Sequence, residues 1–173
     1  MSLHYRHATK QDAQTIAQLV NSAYRGDSSR AGWTTEADIL AGTRIDTEGV
    51  HRLIERENSV ILLCLQDDII IGCVHLEKGN DAAYLGMFVV KPILQGGGIG
   101  KNFMHSAENL IQTLWGVKKI WMHVISVRSE LIAFYERRGY VRTGRFTPFS
   151  SEIDKEFQLI DDLQFEELEK QLA

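Results

Sequence analysis

The feature that most constrains this chain is the run QGGGIG at residues 95–100, followed at once by the amphipathic segment KNFMHSAENL. Each glycine costs up to about 1 kcal/mol of backbone entropy relative to alanine, so the run is a poor way to begin a helix for stability alone. The first N–H groups of a helix lack internal partners, and the helix dipole adds partial positive charge there. Because glycines have no side chains, a pyrophosphate can contact those N–H groups directly. The run therefore indicates an anion-binding turn rather than a flexible surface turn.

Three phosphate-binding motifs can be compared at this turn. The Walker A pattern fails because Gln95 stands at its first glycine and Asn102 replaces the Ser or Thr that binds magnesium. The dinucleotide pattern G-x-G-x-x-G fails at its third glycine, and the run lies past the middle of the chain rather than after a first strand. The pattern Gln/Arg-x-x-Gly-x-Gly/Ala is met in full by Gln95, Gly98 and Gly100.

Hydrophobic periodicity predicts a mixed α/β chain without repeats. Strands are predicted at residues 3–8, 59–66, 69–77, 82–90, 118–126, 140–146 and 156–165. Helices are predicted at residues 10–24, 35–41, 47–56 and 128–138, and from the glycine run to Gly116. The helix after the glycines is predicted to bury one face, made of Phe103, Ala107, Leu110, Ile111 and Leu114.

The two cysteines flank a predicted hairpin with a two-residue turn at 67–68. This register places Cys64 opposite Ile71 and Cys73 opposite Leu62, so that both cysteines share one sheet face. Their Cα atoms would then be roughly 7–8 Å apart, which is long for a disulfide. We therefore expect two small buried side chains in a reducing cytosol.

Two segments resemble a known family. The segment LGMFVVKPILQGGGIGKNFMHSAE is similar to the acyl-CoA-binding core of the GNAT superfamily of N-acetyltransferases, and RSELIAFYERRGY resembles its second conserved element. The resemblance implies an α/β fold of mixed, α+β-like type, of the acyl-CoA N-acyltransferase kind. Its central twisted sheet is mostly antiparallel, contains one splayed parallel strand pair and is flanked by helices. Residues 1–173 would form one such domain.

The resemblance also implies a cofactor site. In relatives, the strand before the glycines splays from its parallel neighbour, and its backbone pairs with the pantetheine arm of acetyl-CoA. That role falls here to Phe88, Val89 and Val90. The pyrophosphate would rest on the residues of the turn, which are Gln95, Gly96, Gly97, Gly98, Ile99, Gly100 and Lys101. Arg128 stands where relatives often have an asparagine that binds the pantetheine arm; since arginine accepts no hydrogen bonds, that contact is lost or replaced.

Tyr135 matches the tyrosine that protonates the departing CoA thiolate in many relatives. Its spacing from Leu131 and Phe134 is equally typical of a buried helix face, so by periodicity alone it would belong to the core. A phenol can donate a hydrogen bond to a thiolate in a dry site and share a proton with it. Tyr135 is thus the candidate general acid, with a core residue as the alternative.

The acceptor amine attacks only when neutral. At pH 7 this costs roughly 4.6 kcal/mol for a lysine-like amine and about 1 kcal/mol for an α-amine. A base is therefore needed mainly for lysine-like acceptors, and the candidates are Glu77, His75, His123 and Glu36. Glu77 is preferred because it ends a strand beside the predicted cofactor strand. Relatives line the acceptor site with the region that is 25–50 here, where Trp33 and Arg30 are candidate contacts.

The leading hypothesis is direct transfer of an acetyl group from acetyl-CoA to a primary amine on a small molecule or a peptide. A non-catalytic acyl-CoA-binding regulatory module is the alternative, and an ATP-dependent phosphotransferase is less favoured. No basic block, apolar leader or Cys/His cluster occurs, so we expect no nucleic acid, no membrane and no metal, and a cytoplasmic location. The net charge is −4, and eight acidic residues follow residue 151, so an acidic last strand pairing across a sheet edge would give a homodimer.

Overall fold

The computed structural model describes residues 2–24, 45–94, 97–148 and 164–172. The strands are β1 (Leu3–His7), β2 (Ser59–Gln66), β3 (Ile69–Lys78), β4 (Ala83–Val90), β5 (Lys119–Ile125), β6 (Val141–Pro148) and β7 (Gln164–Gln171). The helices are α1 (Ala13–Tyr24), α2 (Thr47–Glu55), α3 (Ile99–Trp115) and α4 (Ser129–Arg137), with short 3-10 turns at Lys10–Asp12 and Pro92–Leu94. The predicted short helix at residues 35–41 lies outside the described residues.

One seven-stranded sheet organises the molecule, in the order β1-β2-β3-β4-β5-β7-β6. Its neighbouring strands are antiparallel except for β4 and β5, which are parallel. Each face is covered by helices through a separate hydrophobic cluster. One cluster joins the sheet to α3 and α4, and the other joins it to α1 and α2. The predicted fold class, mixed α/β with a mostly antiparallel sheet and one parallel pair, is confirmed.

Strand β4 pairs over different lengths with its two neighbours. On one side β3 pairs with it from Ala83 to Val90. On the other side β5 pairs only with Ala83 and Tyr84. A bulge places Met87 and Phe88 opposite the single residue Val74, and Met87 takes a φ of 52°, which is uncommon for a residue with a side chain. The two parallel strands therefore part after Tyr84 and leave a wedge-shaped gap, which we call the wedge.

The predicted two-residue hairpin turn is present, with both Asp67 and Asp68 at positive φ. The predicted cysteine register is wrong. Cys64 pairs with Gly72, and Cys73 pairs with Leu63, because a bulge between Cys64 and Leu65 shifts the strands by one residue. A one-residue shift moves a side chain to the other face. The cysteines thus lie in different hydrophobic clusters, and both are free thiols.

The last strand differs most from its prediction. A strand runs from Gln164 to Gln171, six residues past the predicted end at residue 165, while residues 156–163 of the predicted strand lie outside the described residues. Its acidic residues are tolerated because cations face them: Arg142 contacts Glu166, and Arg145 donates to Glu167. β7 lies inside the sheet, between β5 and β6. Among the described residues β6 forms this edge of the sheet, so the expected edge position of the last strand is wrong, while the homodimer itself stays a prediction.

Helix α3 ends as predicted, with Gly116 in the left-handed conformation at φ 64°. Its buried face is only partly the predicted one. Phe103, Ala107 and Ile111 are buried, but Leu114 is 42% exposed. Met104 and the charged Glu108 are buried instead, because side chains of β7 and of the segment after α4 close over that part of the helix.

Candidate active site

The wedge is lined on one face by aromatic side chains. Phe88 leaves β4 toward α3 and α4, where its ring centroid lies 5.4 Å from Phe103, 6.3 Å from Phe134 and 6.5 Å from Tyr135. Val90 belongs to the same hydrophobic cluster, whereas Val89 points to the cluster shared with α1. The structure thus brings the predicted cofactor strand, the helix after the glycines and the predicted acid helix to one place.

The glycine run opens α3. Gly98 is the N-cap, with φ 82° and ψ −2°, a backbone conformation that favours glycine. A Cβ built on Gly98 would meet no heavy atom within 4 Å, so the described residues leave the space beside it open. Gly100 lies against the site's rings, since a Cβ there would be 3.5 Å from Phe134. Lys101 is exposed in the first turn, while Gln95 and Gly96 lie outside the described residues.

These features make the start of α3 able to hold an anion. The N–H groups of the first turn of a helix point outward from its N-terminus, and the helix dipole favours negative charge there. Gly97 and Gly98 are both exposed, and Ile99 packs on the core and fixes the first turn. The 17-residue length of α3 gives a full dipole.

Tyr135 is buried, with 4% of its surface exposed, and belongs to the core cluster. Its ring makes edge contacts with Phe88 on the wedge side and with Tyr140 behind it, at centroid distances of 6.5 and 5.9 Å. Its predicted stripe neighbours Leu131 and Phe134 are only partly buried, because Ile132 takes the inward position. Tyr135 therefore packs in the core and borders the wedge at once, and its role as acid stays a prediction.

Sequence reasoning missed a buried polar cluster behind Tyr135. The hydroxyl of Tyr140 donates to Glu108 Oε2 at 2.8 Å, and Lys170 Nζ donates to both carboxylate oxygens of Glu108 at 3.0 and 3.1 Å. Burial, reinforced by the charge of Glu108, raises the pKa of Tyr140 far above its usual range. The only sequence signal was a glutamate on an otherwise apolar helix face, which does not reveal a partner 62 residues away.

Glu77 lies on the face of the sheet opposite Phe88. Its carboxylate accepts a hydrogen bond from Arg56 at 2.9 Å and lies 3.4 Å from His75 Nε2. The same nitrogen of His75 lies 2.8 Å from Ser59 Oγ. A nucleophilic triad needs the serine and the carboxylate on opposite ring nitrogens, so this group is not one. Glu77 pairs across β3 and β4 with Tyr84, at the closed end of the wedge.

His123 extends from β5 just beyond the point where that strand leaves β4. Its ring lies 5.0 Å from Trp121 and 5.7 Å from Phe165, between centroids. Burial lowers the pKa of His123, and the nearby charge of Glu167 opposes this shift in part. A neutral imidazole is thus favoured near pH 7, although the sequence did not rank His123 above the other candidate bases.

Arg128 is buried and starts α4: its N–H donates to the carbonyl of Ile125 at 2.9 Å, and its carbonyl accepts from Ile132. The candidate acceptor contacts Trp33 and Arg30, and the candidate base Glu36, lie outside the described residues. Within the described ranges, no group of three or more His, Cys, Asp or Glu side chains is arranged to hold a metal ion. Among the same residues, no helix has both the length and the apolar character needed to cross a membrane.

Comparison with known proteins gives one family match. The family described as "Acetyltransferase (GNAT) family" matches residues 14–140, which is well over half of the chain. The match spans α1, the wedge strands, the glycine turn and α4, ending at Tyr140 directly after that helix.

Solved structures share the fold over the whole chain. PaiA N-acetyltransferase from Thermoplasma acidophilum, in complex with coenzyme A, superposes with a TM-score of 0.70 at 17% identity and covers 99% of both chains. YncA from Salmonella typhimurium with its cofactor acetyl-CoA gives 0.70 at 17% identity, covering 100% of this chain and 95% of that one. Ribosomal-protein-alanine N-acetyltransferase from Brucella melitensis gives 0.71 at 18% identity, covering 98% and 99%.

Proposed function

Because the chain belongs to the GNAT family of acetyltransferases, we propose that it transfers the acetyl group of acetyl-CoA to a primary amine on a small molecule or a peptide. The observation that carries this proposal is the wedge. β4 and β5 stop pairing after Tyr84, and a Cβ built on Gly100 at the start of α3 would lie 3.9 Å from the Phe88 ring of β4, so the wedge and the anion-binding turn are close to each other. Acetyl-CoA has the matching chemistry, with a pyrophosphate at one end and a slender thioester-bearing arm at the other.

The residues of the site fit such a ligand. The open space beside Gly98 suits a phosphate group, and Lys101 adds a positive charge on the first turn of α3. The pantetheine arm would lie in the wedge along Phe88, Val89 and Val90. When bound, acetyl-CoA supplies a thioester whose carbonyl carbon is open to attack by an amine. Similar structures that contain coenzyme A or acetyl-CoA support this choice of donor.

The proposed reaction is a direct attack without an acetylated enzyme. The neutral amine nitrogen bonds to the carbonyl carbon and loses one proton to water, the carbon–sulfur bond breaks, and the sulfur leaves with a proton. Tyr135 is proposed to donate that proton, since it borders the wedge from α4. The alternative route through a cysteine nucleophile finds no support at Cys64, because burial raises the pKa of its thiol to about 11.

The experiment combines two measurements on the same preparation. Calorimetry with acetyl-CoA tests the binding site, and detection of released thiol over a panel of amines tests transfer. Binding together with thiol release that depends on an amine is the expected result. Binding without release for any amine would favour the regulatory module, and absence of binding would reject the proposal altogether. A parallel titration with Mg·ATP tests the phosphotransferase, for which we expect no binding.

A further inference from the structure

Four rings form a continuous row on the face of the sheet opposite Phe88 and Tyr135. We call Tyr84 of β4, Trp121 and His123 of β5, and Phe165 of β7 the aromatic row. Successive ring centroids lie 4.8, 5.0 and 5.7 Å apart, and all four side chains are partly exposed. The residues that alternate with them on β5 point to the other face and belong to the cluster under α3.

The row borders the wedge. Tyr84 and Trp121 form the last pair between β4 and β5, and His123 lies two residues further on, where β5 has left β4. The Tyr84 side chain extends along β4 over Gly86, since a Cβ built on Gly86 would be only 2.2 Å from the Tyr84 hydroxyl oxygen. Only glycine at position 86 leaves room for this ring orientation. The row therefore starts at the closed end of the wedge and continues along its β5 side.

Resting on the proposed function, we propose that the aromatic row binds the acceptor amine and that His123 takes the proton from its ammonium group. Phe88 and Tyr135 occupy the α3 and α4 side of the wedge, so the opposite face is the side from which an acceptor reaches a thioester lying in the wedge. The favoured acceptor carries a flat or apolar group close to its amino group. That group packs on Trp121 and Phe165, while the ring faces attract the ammonium ion before it loses its proton.

The charged groups around His123 leave it the best proton acceptor of the row. Glu167 of β7 is its direct partner in the sheet, and this carboxylate accepts a 2.7 Å hydrogen bond from Arg145 of β6. Glu169, opposite Trp121, lies 3.6 Å from Arg145 and 3.8 Å from Lys119. A carboxylate that is paired with a cation is a weak proton acceptor toward an ammonium ion. The partly buried imidazole of His123, in contrast, is neutral near pH 7 and can accept a proton.

The proton balance of the step is closed by the residues named. One ring nitrogen of His123 takes a proton from the ammonium group, directly or through one water, and the amine then attacks the carbonyl carbon. The carbon–sulfur bond breaks, and the thiolate takes a proton from Tyr135. After the attack the nitrogen is cationic, and it gives its second proton to the Tyr135 phenolate through a water molecule. His123 then releases its proton to solvent, so that both residues return to their starting states. Glu77 competes for the role of base, but its carboxylate is held by Arg56 and lies across β4 from the open part of the wedge.

The test compares two amines of similar shape on the full chain with acetyl-CoA. Benzylamine is an ammonium ion at pH 7, and phenylhydrazine is already neutral there. His123→Gln is expected to lower kcat/KM for benzylamine on the order of 100-fold and to change that for phenylhydrazine less than about threefold. The wild-type benzylamine rate should level off above about pH 6.5, whereas the rate of this variant should keep rising with pH, because it then depends on the amount of free amine. His105→Gln, which changes an exposed histidine of α3, is the matched control and should have neither effect.

A second variant tests whether the aromatic row binds the acceptor. Phe165→Leu should raise KM for benzylamine by about fivefold with kcat retained, whereas Phe146→Leu, an exposed phenylalanine of β6, should not. Equal losses for both amines in His123→Gln, or a loss selective for benzylamine in Glu77→Gln instead, would overturn the role of His123. An unchanged KM in Phe165→Leu would overturn the acceptor surface. Wild-type protein that binds acetyl-CoA but releases no thiol with any amine would reject the proposed function, and this inference with it.

Discussion

Strand β4 pairs with β3 along nearly its whole length but with β5 only at its first two residues. Along β3 the ladder runs from Ala83 to Val90, interrupted by one bulge, and Gly72 approaches so closely that an added Cβ would lie 2.8 Å from the carbonyl oxygen of Val89. Along β5 the ladder stops after Tyr84. The β3 side of the strand is closely packed at Gly72, and the β5 side is unpaired beyond Tyr84. The same strand is thus structural toward β3 and available for a ligand toward β5.

This difference predicts that residues on the two sides of β4 contribute to different properties, stability on the β3 side and ligand binding on the β5 side. Parallel strands pair slightly less strongly than antiparallel ones, so the β4–β5 contact is the less costly one to shorten. The bulge at Met87 and Phe88 turns Phe88 into the α3 and α4 face while the β3 ladder resumes at Val89. Changes on the β5 side should alter binding or turnover with the fold kept, and changes on the β3 side should alter the free energy of unfolding.

The largest effect is expected from Tyr135→Phe on the open side. The ring stays, so packing against Phe88 and Tyr140 is kept, while the hydroxyl that would protonate the sulfur is lost. We expect kcat to fall on the order of 100-fold and the acetyl-CoA dissociation constant to change less than twofold. Single-turnover kinetics and calorimetry measure the two quantities.

Tyr5→Phe is the matched control for Tyr135→Phe. Tyr5 lies in β1, where its ring stacks on Phe103 at 5.8 Å, so the same atom is removed outside the wedge. A normal kcat is expected for it. A folded Tyr135→Phe protein with undiminished kcat, when chemistry limits turnover, would leave Tyr135 as a core residue only.

Gly72→Ala probes the packed side. The new methyl group would meet the Val89 carbonyl at 2.8 Å and the Phe103 ring at 3.1 Å, so backbone has to move. We expect a loss of about 1–3 kcal/mol in the free energy of unfolding, measured by urea titration. Acetyl-CoA affinity of the folded fraction should change less than threefold. A larger loss of affinity at unchanged stability would show that the two sides of β4 are not separable.

Gly98→Val probes the anion end of the open side. A β-branched side chain would fill the open space beside the start of α3 and would strain the backbone at φ 82°. Acetyl-CoA affinity should fall at least tenfold, which is about 1.4 kcal/mol.

Gly116→Val is the control that distinguishes the two effects of Gly98→Val, which are the filling of the phosphate space and the backbone strain. It imposes a similar strain at φ 64° at the other end of α3, and there too the added Cβ meets no described atom within 4 Å. Reduced stability with normal acetyl-CoA affinity is expected for Gly116→Val. Equal affinity in Gly98→Val and wild type would contradict the phosphate-binding turn.

Asp12→Asn should have the smallest effect, a loss of stability, because Asp12 lies away from the wedge. The Asp12 carboxylate accepts two hydrogen bonds from Arg6, at 2.8 and 3.0 Å, and one from the backbone of Thr9 at 2.8 Å. We expect a loss of about 1 kcal/mol of stability at pH 7 and no change in acetyl-CoA affinity.

The contribution of Asp12 should depend on pH with a defined sign. The hydrogen bond from Arg6 lowers the pKa of Asp12 in the folded protein, although partial burial opposes this shift. Its stabilisation is therefore present above the ordinary pKa of about 3.8 and is lost as pH falls through the lower folded value. The stability difference between wild type and Asp12→Asn, followed by thermal unfolding, should shrink below pH 4. A constant difference across this range would show that the carboxylate charge is not involved.

Local patterns determined much of this protein. Alternation and helical periodicity along the chain predicted the order of the elements, the two-residue turn at 67–68 and the helix end at Gly116, because each depends on residues close in sequence. The glycine run and the segment around Tyr135 indicated the family, which the match over residues 14–140 shows. Turn and cap chemistry are written within a few residues, so a single sequence suffices for them.

Tertiary structure alone decided the rest. The bulge beside Cys64 reversed the face of one cysteine, the last strand lies inside the sheet rather than at its edge, and Glu108 is buried against Tyr140 and Lys170. The aromatic row joins rings from three strands that are far apart in sequence. Each of these outcomes depends on a segment that is distant in sequence. Such a segment supplies the cation that pairs with a glutamate, the strand that pairs with its neighbour, or the ring that packs on another ring. A free energy that arises from such pairs cannot be assigned to any one stretch of the chain.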